Sequence, residues 1–189
     1  MPSMIIHDGR LHGKTPTRYN YVMQVNAHTT IQHIIGTVAH YGRMHTLSPL
    51  HIACHGFEAN WNLRGMMCTP QDHGGFGLQL GNEGLSLFNA TKTSAWKGLV
   101  DLVVLFACAP ADTGPGNEGT RGDGRRLLGE LALWSGARVI GARDTQYYND
   151  DTGKTTIDFG DWEGPVYEFS PATPYGQVVG NPSVYRLLG

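Results

Sequence analysis

Two residues that could act together chemically stand at the ends of two short apolar segments. His55 lies near the end of LHIACHG at 50–56, and Cys108 closes LVVLFAC at 102–108, so the two side chains are 53 positions apart. Apolar runs of this length are typical of strands buried on both faces of a parallel sheet. In open sheets of that kind, ligands bind beyond the carboxyl ends of the strands. We therefore expect the thiol and the imidazole to meet at one crevice, as a cysteine nucleophile and its histidine base do.

The segments around these two strands alternate between strand and helix patterns. A strand is predicted over 19–25, followed by a helix to about Tyr41 with Gly42 as its stop. A second helix begins near Asp123 and ends at Gly136, and a third core strand follows at Arg138–Ala142. Alternation of this kind predicts an α/β fold with a mainly parallel sheet.

The predicted organisation is a single domain over 1–189. Residues 1–18 are expected to be a loose arm with a short edge strand at Met4–His7, 19–145 the core, and 146–189 a hairpin and tail. The hairpin would pair 155–159 with 166–169. Two loops leave the reactive strands: 57–77 is a candidate wall of a binding site, and the glycine-rich 109–122 is expected to be flexible and to gate the site.

Composition narrows the functional classes. The net charge of −2 and the pI near 6.5 provide no basic field for phosphates, so we expect no direct nucleic-acid partner. No apolar run is long enough to cross a bilayer, and no secretory signal is visible at the N-terminus, which together predict a cytoplasmic protein without a membrane partner. The three cysteines form no CxxC pair and are expected to be free thiols.

A metal site is the other chemistry that the histidines suggest. His51 and His55 have the HxxxH spacing of a zinc-binding helix. On a strand, however, four residues span about 13 Å, which is too far for both rings to bind one ion. We expect no metal and no cofactor.

These motifs resemble the caspase-like cysteine peptidases of clan CD, which include caspases, metacaspases, separases, gingipains and bacterial CHAT domains. The resemblance covers about 19–145: an apolar strand ending in His55-Gly56, a second ending in Ala107-Cys108, a glycine-rich loop, a helix and another strand. LHIACHG, VVLFACAPADTG and GRRLLGELALWSGARVIGA are most similar to CHAT domains. The implied fold is a three-layer α/β/α sandwich.

The resemblance also implies roles for individual residues. Cys108 would be the nucleophile and His55 the acid and base, while the N–H groups of Gly56 and Cys108 would form an oxyanion hole. Phe106 stands where caspases place a glutamine and metacaspases an aspartate in the substrate pocket, so a strict preference for a charged side chain is not expected from that position. Asp112 and Asp144 could line a pocket for a basic side chain, although solvated loop carboxylates are the more common case.

Three functions remain open at this point. The first is a cysteine endopeptidase that acts on a protein or peptide substrate and is regulated by a protein partner or by loop ordering. The second is a non-catalytic caspase-like interaction domain, and the third is a thiol hydrolase or acyltransferase acting on a non-peptide carbonyl.

Overall fold

The fold is known from a computed structural model, which describes residues 1–57, 74–149, 154–180 and 186–187. The helices are α1 (Ile31–Met44), a 3₁₀ helix (Ala90–Trp96) and α2 (Gly124–Ser135). The strands are β1 (Met4–Asp8), β2 (Tyr21–Val25), β3 (Leu50–Ala53), β4 (His55–Gly56), β5 (Leu78–Gln79), β6 (Leu102–Phe106), β7 (Arg138–Ala142), β8 (Val166–Ser170) and β9 (Thr173–Gly180).

Seven of these strands form one sheet in the order β2-β1-β3-β6-β7-β8-β9. The first five strands in this order run parallel to one another. Strands β8 and β9 are added at one edge, each antiparallel to the strand before it. The predicted α/β fold with a mainly parallel sheet is therefore confirmed. Strands β4 and β5 form a separate antiparallel pair.

The two faces of the sheet are covered differently. One face carries the larger core, in which Ile52 and Leu105 pack with the apolar sides of α1, the 3₁₀ helix and α2. The opposite face carries Val104 and Ile140, covered by side chains of irregular chain that include Trp162. In the described part of the chain, all three helices therefore contribute to one core, and the predicted second helical layer is not seen there.

The helix ends follow from local chemistry. The Thr30 side chain accepts a hydrogen bond from the N–H of His33 at the start of α1, and Asp123 does the same for Arg126 at the start of α2. Gly136 ends α2 with a left-handed backbone, as predicted. Gly42 does not stop α1, which continues to Met44. Its lack of a side chain serves packing instead, since a Cβ there would lie 2.7 Å from the Cβ of Leu99.

The strand expected at Met4–His7 is confirmed as β1, but the prediction that it lies at an edge is wrong. All five residues of this strand are buried, and it lies between β2 and β3 in the interior of the sheet. Two of them are polar but bonded: the His7 ring contacts the Thr15 hydroxyl at 2.7 Å and the Leu11 carbonyl at 2.8 Å, while Asp8 pairs with Arg10. These contacts offset the cost of burying polar side chains.

The predicted pairing of 155–159 with 166–169 is also wrong. Strand β8 pairs instead with β9, which begins three residues after β8 ends. Ile157 and Phe159 lie in the core on the second face of the sheet, where their apolar side chains cover β6 and β7. Their alternating pattern thus reflects packing against that face.

The loop 109–122 buries part of its apolar surface. Ala111 is fully buried, Ala109 is 6% exposed, and the N–H of Ala111 donates to the carbonyl of Ala142 at 3.0 Å. The N–H of Thr120 donates to the carbonyl of Asn117 at 2.9 Å. The loop is a series of hydrogen-bonded turns that bury Ala109 and Ala111, and its flexibility and gating stay predictions.

Among the described residues, no helix combines the length and the apolar character that a membrane crossing requires.

Candidate active site

The two predicted reactive residues follow neighbouring strands. β3 and β6 are parallel partners with Ala53 opposite Phe106, and the N–H of Cys54 donates to the carbonyl of Phe106 at 3.1 Å. This bond extends the pairing by one residue, so His55 and Cys108 come at the same edge of the sheet. Both residues therefore lie beyond the carboxyl ends of adjacent strands, and their direct contact stays a prediction.

The Cys54 side chain points to the face of the sheet that the helices cover. It belongs to the core on that face and is 1% exposed. Burial raises the pKa of its thiol, since a thiolate is poorly solvated there. Cys54 is therefore a core residue, as its position in the alternating strand predicts.

Gly56 lies directly against the backbone of Cys108. A Cβ on Gly56 would overlap the Cys108 carbonyl oxygen and lie 3.0 Å from the Cys108 amide nitrogen. The space that a side chain would need is occupied by the Cys108 backbone. The small size of Gly56 is therefore needed for the close approach of the two strand ends.

The His55 ring is held by a backbone carbonyl. Its Nε2 lies 3.0 Å from the carbonyl oxygen of Arg10, in the turn that follows β1. A carbonyl oxygen only accepts hydrogen bonds, so Nε2 must carry a proton. In the neutral ring, Nδ1 is then the nitrogen that can accept a proton.

The Cys108 side chain is half-buried and also contacts a backbone carbonyl. Its thiol donates to the carbonyl of Gln146 at 3.6 Å. Gln146 is 2% exposed, and its amide donates to the carbonyls of Asp144 and Glu163, each at 2.9 Å. One buried amide therefore joins the segment after β7 to the segment before β8, beside the candidate nucleophile.

A strained residue follows Cys108 immediately. Ala109 has φ of 47°, a left-handed conformation that costs a residue with a Cβ about 1–3 kcal/mol. Its N–H donates to the carbonyl of Asp144 at 3.2 Å, so the chain turns sharply at Cys108 towards the end of β7. Strain of this kind is common at functional sites.

The structure does not place Phe106 in an open pocket. This side chain is 2% exposed and stacks on Trp162 with 5.0 Å between ring centroids, near His51 and Phe159. Phe106 faces the second core because side chains alternate along β6, which places it on the same face as Val104. The prediction that it contacts substrate is corrected to a packing role.

Asp112 and Asp144 both lie near the crevice. Asp144 is paired with Arg143, whose Nε donates to it at 2.7 Å, and this bond raises the pKa of the guanidinium. Asp112 is half-buried, and its backbone carbonyl accepts from the amides of Gly75 and Gly124 at 2.9 and 2.8 Å. A basic substrate group would compete with Arg143 for Asp144.

Three further predictions concern the loop 57–77, the HxxxH histidine His51 and metal binding. Most of the candidate wall 57–77, including Cys68, lies outside the described residues. His51 is buried on β3, with its Nδ1 hydrogen-bonded to the Tyr19 hydroxyl. Among the described residues, no three metal-binding side chains come together.

Arg10 and Gln146 are the contacts that the sequence did not reveal. Both act through backbone carbonyls, which every residue has, so residue type carries no signal for them. Comparison with protein-family models, with curated proteins and with solved structures finds no match to this chain.

Proposed function

We propose that the chain is a cysteine endopeptidase of the caspase-like clan, with Cys108 as nucleophile and His55 as acid and base. The observation that carries the proposal is the arrangement at the edge of the sheet: both residues follow adjacent parallel strands, and Gly56 lies against the Cys108 backbone. The caspase-like sandwich, a cytoplasmic location and activation by a protein partner belong to the same proposal.

The proposed chemistry is acyl transfer from a peptide. His55 Nδ1 takes the thiol proton, and the thiolate attacks the peptide carbonyl. The N–H groups of Gly56 and Cys108 stabilise the negative charge that develops on the carbonyl oxygen. The imidazolium gives its proton to the leaving amine, and water then hydrolyses the thioester, with the imidazole taking a proton from the water.

The first test is the reactivity of the three thiols. An imidazole that accepts the thiol proton increases the thiolate fraction near neutral pH, so brief iodoacetamide treatment should modify Cys108 faster than Cys54 or Cys68. We expect His55→Ala to slow the alkylation of Cys108 about tenfold at neutral pH. His28→Ala removes an exposed histidine and is the matched control.

Mass spectrometry of each cysteine-containing peptide gives the three rates. If Cys68 reacts first and His55→Ala leaves the Cys108 rate at its wild-type value, the dyad is wrong. Cleavage of a peptide library, with pure protein and with added cell lysate to supply an activator, then identifies the substrate class. Cys108→Ala should abolish any cleavage that belongs to this chain.

A further inference from the structure

We propose that Asp8 and Arg10 are positioning residues that hold the His55 ring with its proton on Nε2. This inference rests on the proposed function, since it assigns the His55 ring a proton-transfer role. It adds an ion pair at the end of a third strand, β1, to a site otherwise built on β3 and β6.

The Asp8 carboxylate is fully buried and closely bonded. It lies at the end of β1 and accepts from Arg10 Nε at 2.8 Å, from Arg10 Nη2 at 2.6 Å and from the Arg10 backbone N–H at 3.1 Å. The Gly81 N–H adds a fourth bond at 3.0 Å. Burial alone would raise the pKa of Asp8, but the bonds from Arg10 and Gly81 outweigh it and hold this pKa below its usual value.

The same ion pair fixes the peptide that contacts His55. Asp8 binds both the side chain and the N–H of Arg10, and the carbonyl of Asp8 accepts from the Leu11 N–H at 2.9 Å. The turn that presents the Arg10 carbonyl to His55 is therefore held from both ends. A carbonyl restrained in this way keeps the imidazole in one orientation and one tautomer, as partners of functional histidines do.

Arg10 also connects this turn to the strand that pairs with His55. Its Nη2 donates to the Gly81 carbonyl at 2.7 Å and to the Gln79 carbonyl at 3.3 Å. Gln79 is the partner of His55 in the β4–β5 pair. A single guanidinium thus joins Asp8, which restrains the Arg10 turn, to the strand that pairs with His55.

A purely structural role is a weaker explanation of this arrangement. A buried ion pair must overcome the desolvation of both charges and is often no more stabilising than apolar packing. Here the pair is 30% exposed on the arginine side, and the peptide it holds contacts a proposed catalytic ring. The contact between the Arg10 carbonyl and His55 gives a reason for the Asp8–Arg10 ion pair at the end of β1, an interior strand.

The test uses Arg10→Gln and Asp8→Asn in the full chain. Two quantities are measured: the tautomer of the His55 ring by ¹⁵N NMR, assigned against His55→Ala, and the pH dependence of Cys108 alkylation. In the wild type we expect the proton on Nε2. In Arg10→Gln we expect a mixture of tautomers, an alkylation profile displaced to higher pH and a rate about tenfold lower at neutral pH.

Arg138→Gln is the matched control, because it removes the arginine of a different ion pair, with Glu168 at 3.5 Å, at the start of β7. It should leave both the tautomer and the pH profile unchanged. Arg10→Lys keeps the charge but not the forked geometry and should give intermediate values. If Asp8→Asn does not fold, the two Arg10 variants still decide the question.

The inference is overturned if Arg10→Gln folds and keeps either the wild-type tautomer or the wild-type pH profile. Failure of the proposed function looks different, because His55→Ala itself would then leave Cys108 alkylation unchanged. A loss of stability without a change in tautomer assigns the ion pair to folding alone and also contradicts the inference.

Discussion

At the scale of single residues, Gly56 shows how closely the two reactive strand ends approach. A methyl group there would displace the Cys108 backbone, so Gly56→Ala should slow Cys108 alkylation and lower the free energy of unfolding by about 1–3 kcal/mol. Gly36→Ala is the control, since no atom lies within 4 Å of a Cβ at this exposed position in α1. It should raise stability by about 0.5–1 kcal/mol.

Urea unfolding and timed alkylation measure both effects. Wild-type values for Gly56→Ala in both assays would mean that the close approach of Gly56 to Cys108 does not matter for the site.

The residues that the sequence singles out are those whose side chains are proposed to carry the chemistry. His55 and Cys108 stand out because each follows an apolar strand, and the structure brings them to one edge. Phe106 was misassigned because motif position was considered without the alternation that directs it into the core. Arg10 and Gln146 were missed because backbone carbonyls leave no pattern in the sequence.

At the scale of elements, Asp123 joins the loop after Cys108 to α2. Its carboxylate caps the helix at the N–H of Arg126 and also accepts from the Thr113 hydroxyl and the Gly119 N–H, each at 2.8 Å. Asp123→Ala should therefore cost more stability than a simple capping loss of about 1 kcal/mol. Thr30→Ala, which removes the cap of α1, is the matched control.

Hydrogen exchange distinguishes the two cases. In Asp123→Ala the amides of residues 119–126 should exchange faster, whereas in Thr30→Ala the increase should be confined to the first turn of α1. Unchanged exchange over 119–122 in Asp123→Ala would show that the loop does not depend on this carboxylate.

The elements with apolar, periodic sequences were predicted well, and those with buried polar residues were not. β3, β6, β7 and both α-helices follow their patterns to within a few residues. The sequence predicts β1 only as a short edge strand, whereas it lies inside the sheet, where the buried His7 ring contacts the Leu11 carbonyl and Asp8 accepts from the Gly81 N–H. The predicted partner of β8 was 155–159, but β8 pairs with β9, and the apolar side chains of Ile157 and Phe159 lie in the second core.

At the scale of the whole molecule, the two faces of the sheet differ in polarity. The helical face is apolar, whereas the opposite face buries His51, which is 1% exposed. Its Nε2 has no hydrogen-bond partner among the described residues, and its Nδ1 is bonded to the Tyr19 hydroxyl. The ring is therefore buried in its neutral form, and charging it would place a cation among the aromatic side chains of Phe106 and Tyr19.

This burial predicts how the stability of the whole molecule depends on pH. Burial lowers the pKa of His51 from 6.5 to about 3, so between these values the unfolded chain binds a proton that the folded chain does not. The free energy of unfolding thus has its full value above the unfolded pKa and falls with decreasing pH, by about 2 kcal/mol between about pH 7 and pH 5.

His51→Asn, which does not titrate, should lose about 2 kcal/mol less than wild type over this interval, whereas His28→Asn should follow wild type. Urea unfolding at both pH values measures the differences, and equal losses in wild type and His51→Asn would show that His51 does not contribute to the acid sensitivity of the fold.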